Sequence, residues 1–120
     1  MSPDLRRIIA VEAHRRRCGR YPLRVHSLGT GETYDIAPAE GGFRDLATGL
    51  VARFDGRQIV LSDGRGPIEL AMTDDVRFDG VVRGGEPFTG RAGGGASVTL
   101  YEQGSENYFQ FAVGTEADGI

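Results

Sequence analysis

Residues 50–61 read LVARFDGRQIVL, and this stretch decides the fold. Two short segments with alternating apolar residues flank Asp55-Gly56. An Asp-Gly pair in that position is a strong short-range signal for a β-hairpin, because both central residues of a tight type I′ turn need a positive φ. Similar units continue to Val113, so the chain is expected to be mainly β. The pattern indicates a scaffold and no particular chemistry.

The spacing of the turns predicts a barrel or a sandwich of antiparallel strands joined as a meander. Residues 37–48 are expected to form a loop with at most a short strand at Phe43, and residues 84–95 to be the least ordered part. Asp79-Gly80 predicts either a tight hairpin or a bulge. About eight strands are expected, at residues 23–28, 33–36, 50–54, 57–61, 68–72, 76–82, 97–101 and 108–113.

The amino-terminal segment has the pattern of an α-helix over about residues 3–18. Ser2 suits the N-cap, Pro3 suits the first helical position, and Gly19 suits the end. The helix is expected to pack across an opening or against one face of the β body. Its apolar stripe consists of Leu5, Ile8, Ile9 and Ala13, and Val11 could extend it.

The length of 120 residues predicts one domain over residues 1–120. Within it we expect the helix at about 3–18, a β body at about 22–113 and a frayed tail at 114–120. The apolar runs are too short to cross a membrane, and the first 20 residues lack the order of a signal peptide. A soluble cytoplasmic protein that does not enter a membrane is therefore expected.

Composition excludes several kinds of chemistry. The chain has no lysine, so a lysine Schiff base and a Walker A lysine are excluded. Cys18 is the single cysteine, which excludes an intrachain disulfide and multi-cysteine metal sites. His14 and His26 are the two histidines, too few for a three-histidine zinc site. No cofactor, metal site or catalytic residue is assigned.

The charge is distributed unevenly along the chain. Residues 1–30 carry a net charge of +5 and residues 31–120 carry −8. Six arginines of the amino-terminal segment could contact phosphates: Arg6, Arg7, Arg15, Arg16, Arg17 and Arg20. The cluster formed by Arg15, Arg16, Arg17 and Arg20 could bind a partner, or it could be a solvated helix end that balances the acidic body. A sequence pI near 5.3 argues against nucleic acid, because nucleic-acid-binding domains are usually strongly basic.

The remaining patterns are explained best by local structure. His26 and Ser27 are neighbours on an expected strand, so they point to opposite faces and do not form a nucleophile–base pair. Arg91 lies in the glycine-rich stretch 90–97, which could cradle an anion but lacks the context of a P-loop. Cys18 is expected to be an inert thiol. The loop aspartates lack calcium-binding spacing.

These observations predict a binding or structural module, more plausibly without catalysis, that holds a small ligand if the barrel has an open interior. The first alternative is an assembly subunit that docks on a protein partner or a second copy of itself through the arginine-rich helix. The second is a hydrolase-type enzyme that uses His26 or His14 with carboxylates. The candidate binding residues are Arg15, Arg16, Arg17, Arg20, His26 and Arg91. The candidate inward-facing residues are Phe54, Ile59, Leu70, Phe78, Leu100, Phe109 and Phe111.

Overall fold

Ten antiparallel strands close into a barrel in a computed structural model, which describes residues 1–93 and 96–114. The expected frayed tail, apart from Gly114, and two glycines of the 90–97 stretch lie outside the described residues. One helix precedes the barrel within those ranges. The elements are α1 (Pro3–Cys18), β1 (Arg24–Ser27), β2 (Thr33–Ala39), β3 (Gly42–Asp45), β4 (Leu50–Asp55), β5 (Gln58–Leu61), β6 (Ile68–Met72), β7 (Arg77–Val82), β8 (Pro87–Ala92), β9 (Ser97–Glu102) and β10 (Asn107–Gly114).

The barrel is a simple meander. Each strand pairs with its neighbours in sequence, and β1 also pairs with β10, which closes the sheet. The hairpin expected around Asp55-Gly56 joins β4 to β5, with Asp55 opposite Gln58 and Gly56 at a φ of 61°. The prediction of a mainly β fold with one amino-terminal helix is confirmed, and a barrel is formed rather than a sandwich.

The expected count of about eight strands was too low, because two strands form where the sequence suggested loops. One is β3, in the segment read as a loop around Phe43. The other is β8, in the glycine-rich segment read as the least ordered part. The prediction of a hairpin or a bulge at Asp79-Gly80 was wrong, because β7 continues through it and pairs residue by residue with β6 and β8.

Two glycines in β7 and β8 make room for aromatic rings. Gly80 lies opposite Phe88, and Gly90 lies opposite Phe78. A Cβ atom on Gly80 would overlap the backbone oxygen of Glu69 and the Phe88 ring, and one on Gly90 would overlap the Phe78 ring. Both phenylalanines are buried. These glycines are therefore required because an aromatic ring packs directly against each of them. This role of glycine in a strand differs from forming a turn or a bulge.

The helix α1 runs inside the barrel. Ile8, Ile9, Ala10 and Val11 are all 0% exposed. Successive helical residues are turned by about 100°, so four in a row face every side of the helix. In addition, α1 contacts both β1 and β6, which are five places apart in a closed ring of ten strands and hence on opposite walls. The expectation that the helix would lie across an opening or one face was wrong.

The helix begins and ends where the sequence indicated. Pro3 is the first helical residue, and Gly19 adopts the left-handed conformation while its N–H donates to the carbonyl oxygen of Arg15 at 2.6 Å. The Ser2 hydroxyl donates to the Asp4 carboxylate, and it does not cap the helix backbone. Within residues 1–93 and 96–114, no helix combines the length and the apolar character needed to cross a lipid bilayer.

Five of the seven expected inward residues are buried, and two are not. Phe54 has the inward parity of Leu50 and Ala52 but lies near the end of β4, where it is 38% exposed. Phe109 is partly buried near the opposite rim. Both rings contact arginines of α1, which explains why large apolar side chains remain at the rims. The rims are thus the places where the helix and the barrel leave surfaces for contact with other molecules.

Candidate functional site

The barrel has two mouths, which differ in chemistry. In a meander, alternate turns lie at the same end, so the turns 28–32, 46–49, 62–67, 83–86 and 103–106 surround the start of the helix. We call this end the N-terminal mouth. The end that surrounds Arg15 to Tyr21 is the C-terminal mouth.

At the N-terminal mouth, Arg7 and Asp45 form a buried two-pronged ion pair. The Nε and Nη2 atoms of Arg7 donate to Oδ1 and Oδ2 of Asp45 at 2.9 and 2.7 Å. Asp45 is 0% exposed, and Thr48 donates a further hydrogen bond to its Oδ2 at 2.7 Å. Burial opposes the charged guanidinium, but the contact with Asp45 outweighs burial and raises the pKa of Arg7. The pair joins the helix to the end of β3.

Two further ion pairs join the same mouth to the helix. Glu102, at the end of β9, accepts from Arg6 and lies 3.5 Å from the amino-terminal nitrogen of Met1. Arg65, in the β5–β6 turn, donates from Nη2 to Oδ2 of Asp4 at 2.5 Å, and this hydrogen bond lowers the pKa of Asp4 to about 2. The first turn of the helix is therefore held from three sides by charged groups.

A pocket of about 470 Å³ opens beside these pairs, between the β1–β2 turn and β10. The Cζ atom of Arg6 lies over the Phe109 ring, 3.8 Å from its centroid, and the Cζ atom of Arg7 lies over the Tyr34 ring, 3.9 Å from its centroid. No carboxylate lies among the described residues that line the pocket. Its lining includes Arg6, Arg7, Ser27, Leu28, Tyr34, Phe109 and Phe111. Aromatic and apolar walls with a few polar groups are the usual composition of a small-molecule site.

At the C-terminal mouth, the predicted arginine cluster is divided. Glu12 is 1% exposed and accepts from Arg15 Nη2 and Arg16 Nε, each at 2.7 Å. The hydroxyl of Tyr21 donates to the same carboxylate at 3.2 Å, and burial together with Glu12 raises the pKa of Tyr21. Arg15 and Arg16 thus neutralise a buried acid of their own helix. Their role is internal in this structure.

Arg17 and Arg20 form the exposed half of that cluster. Both side chains are exposed, and neither pairs with an acid in the part of the chain that the structure describes. Both follow His14, the last buried residue of α1: Arg17 lies in the last turn of the helix, and Arg20 lies beyond its end. They remain available to a partner, as the sequence suggested for the whole cluster.

His14 and Cys18 contact each other one helical turn apart. The Cys18 Sγ lies 3.1 Å from His14 Nε2. His14 is buried, and this burial, followed by the charge of Arg17, lowers the pKa of His14 below its ordinary value of 6.5. The imidazole is thus kept neutral beside an exposed thiol. Neither residue lines the N-terminal-mouth pocket.

This arrangement predicts how stability depends on pH. Because His14 has a lower pKa in the folded chain than in the unfolded chain, the unfolded state binds more protons in the interval between the two values. The free energy of unfolding should therefore be highest above pH 6.5 and fall as the pH drops through the folded pKa of His14. Urea unfolding across this range measures the slope. The variant His14→Gln should flatten this slope. An unchanged slope in His14→Gln would contradict the assignment.

The two remaining predicted residues lie on the outer wall, apart from each other. His26 Nδ1 lies 2.8 Å from Thr33 Oγ1 across the β1–β2 hairpin. Arg91 is exposed and lies opposite Arg77, on β8 and β7. The structure therefore distributes the six predicted residues over the C-terminal mouth and two outer surfaces. They do not form one site.

No family model, curated protein or solved structure matches this chain. The described residues also contain no group of three or more histidine, cysteine, aspartate or glutamate side chains placed to hold a metal ion. The function is therefore argued from the pocket itself.

The sequence did not single out the pocket. Arg6 and Arg7 were among the candidate phosphate contacts but not among the candidate binding residues. Tyr34 lay in an expected strand, and Phe109 was a candidate inward-facing residue. The available signal was the position of two arginines directly before Ile8 and Ile9, in a segment whose apolar residues are otherwise buried. Charged residues inside such a segment require partners, and those partners mark a mouth of the barrel.

Proposed function

We propose that the protein is a non-catalytic binding module that takes a small ligand in the pocket of the N-terminal mouth. The observation that supports this most strongly is the pocket of about 470 Å³, with aromatic walls and two arginines held in place. Its size lies within the range of roughly 300–1,000 Å³ that is typical of ligand sites. Pockets of this kind are the default hypothesis for binding.

The helix moves the proposed site from the lumen to the mouth. A barrel of this kind could hold a ligand along its axis, but Ile8, Ile9 and Val11 fill that space in this chain. Space for a ligand remains beside the start of the helix, where the guanidinium groups of Arg6 and Arg7 contact the rings of Phe109 and Tyr34. Binding there requires no displacement of the helix.

The test is a screen of small aromatic and aliphatic molecules by ¹H–¹⁵N NMR. Ligands should shift resonances at the β1–β2 turn and on β10, around Ser27 and Phe109. The variant Ser27→Phe should fill the pocket and abolish these shifts. Ser97→Phe, an exposed position at the start of β9 on the C-terminal mouth, is the matched control and should leave them intact. Shifts that cluster elsewhere, or survive in Ser27→Phe, would contradict the proposal.

A second candidate function is docking to an acidic partner or a second copy of the chain. Arg17 and Arg20 support it, because both are exposed and unpaired among the described residues. Gel filtration at low and high salt tests it: a double Arg17→Gln, Arg20→Gln variant should lose any salt-sensitive assembly. Replacing two exposed arginines of the outer wall, Arg44 and Arg53, provides the charge-matched control.

The third hypothesis, catalysis by His26 or His14, receives no support from their positions. His26 lies on the outer wall with Thr33, and His14 is buried beside Cys18. Neither histidine reaches the pocket in which a substrate would bind.

A further inference from the structure

We infer that the ligand of the N-terminal mouth is a small carboxylic acid with an apolar body. This inference rests on the proposed function, and it names the chemical class that the pocket recognises. It is drawn from the donors, the charge and the walls of the pocket.

The pocket contains guanidinium donors that the protein does not use. A guanidinium has five N–H groups. Arg7 uses Nε and Nη2 on Asp45, and Arg6 uses Nε and Nη2 on Glu102. No described residue accepts a hydrogen bond from the Nη1 atom of either arginine, although both arginines line the pocket. A carboxylate, which accepts hydrogen bonds through two oxygens, is the natural complement of such donors.

The charge of this cluster also favours an anion. Glu102 pairs with the guanidinium of Arg6 and lies 3.5 Å from the ammonium group of Met1, so the charge of this carboxylate is compensated. Asp45 is fully committed to Arg7 and Thr48. No described carboxylate lines the pocket, so an incoming acid would meet the guanidinium groups of Arg6 and Arg7, while their counter-ions Glu102 and Asp45 lie outside the lining.

The walls explain why the rest of the ligand should be apolar. The guanidinium groups of Arg6 and Arg7 lie over the faces of the Phe109 and Tyr34 rings. Contact with an aromatic face uses none of the N–H donors, which stay free for hydrogen bonds. Leu28 and Phe111 add apolar surface to the same pocket. A carboxylate would bind to the arginine edges while its hydrocarbon or aromatic part covers this surface. Because the arginines are already held by ion pairs, binding need not order them.

The experiment compares acids with their neutral amides. We would titrate the protein with 2-naphthoate and 2-naphthamide, and with octanoate and octanamide, by calorimetry and NMR. Each acid should bind at least about tenfold more tightly than its amide, because the charge strengthens hydrogen bonds to arginine. The contacts should be at the β1–β2 turn and β10.

Two substitutions at one position provide the matched control. Ser27 has the inward parity of Val25 on β1 and lines the pocket. In Ser27→Asp, the new carboxylate should occupy the arginines and remove the preference for acids. In Ser27→Asn, which has nearly the same shape without the charge, the preference should remain. An undiminished preference in Ser27→Asp would overturn the inference.

The outcomes separate the inference from the proposed function. If acids and amides bind equally well in the pocket, the ligand class is wrong and the binding module stands. If naphthyl phosphate binds and naphthoate does not, a phosphate replaces the carboxylate and the inference is also wrong. If neither acids nor amides bind at the N-terminal mouth, the inference is overturned, and the broader NMR screen decides whether the proposed function falls with it.

Discussion

The Asp45→Asn variant is expected to be less stable than the natural chain by about 3–5 kcal/mol, because the substitution leaves the buried guanidinium of Arg7 without its counter-charge. The carboxylate of Asp45 is 0% exposed and provides both acceptors for Arg7. Asparagine keeps the shape but removes the charge and one of the two acceptors. Urea unfolding followed by circular dichroism measures the difference.

Asp79→Asn is the matched control for this prediction. Asp79 lies on β7 and is exposed, and no described residue forms an ion pair with it. Its replacement should leave the midpoint of unfolding nearly unchanged, as surface substitutions usually do. If Asp45→Asn were as stable as Asp79→Asn, the two-pronged pair that joins the helix to β3 would not exist in solution.

Truncation of buried residues on nearly opposite sides of the helix is expected to lower the free energy of unfolding. Ile8→Ala and Ile9→Ala should each lower the free energy of unfolding by about 2–5 kcal/mol, since each leaves a cavity in a packed interior. Val11→Ala removes less volume, and its effect should be smaller but clearly measurable. Ile9 and Val11 lie on nearly opposite sides of α1, about 160° apart, with Ile8 between them, and all three are 0% exposed.

Val60→Ala on the outer face of β5 is the control for this series, because Val60 is 45% exposed. It should change stability far less than any of the helix variants. A surface helix has one face that tolerates truncation. If one of the three helix variants were as stable as Val60→Ala, the helix would lie on a face of the barrel and not inside it.

Local signals in the sequence predicted most of the individual elements. The hairpin at Asp55-Gly56 follows from turn geometry, which depends on a few adjacent residues. The helix bounds follow from Pro3 and Gly19, for the same reason. Where glycine served packing rather than turning, as at Gly80 and Gly90, the same local reasoning failed. The reason for those glycines is a ring on a neighbouring strand.

The position of the helix could not be read from its own residues. Charged residues on a helix usually lie on a face that is exposed to water, and Arg7 and Glu12 are charged residues of α1. In the folded chain both are buried, because Asp45 pairs with Arg7 and because Arg15, Arg16 and Tyr21 surround Glu12. Asp45 is 38 positions from Arg7, so a reading of the helix by itself does not include it.

The pocket was beyond sequence reasoning for a similar reason. It brings together the helix start, the β1–β2 hairpin and β10, which lie at the two ends of the chain. Closure of the barrel between β1 and β10 creates this proximity. Sequence reasoning selected the arginine cluster and the glycine-rich loop because of their unusual composition. No described residue of either one lines the pocket.

The most direct test of this account is a methyl NOE spectrum of the natural chain. The central claim is that α1 fills the lumen and leaves the N-terminal mouth for a ligand. The methyl groups of Ile8, Ile9 and Val11 should then show NOEs to β1 and to β6, for example to Val25 and Leu70 on opposite walls. NOEs from these methyl groups to strands of one wall alone would contradict the claim.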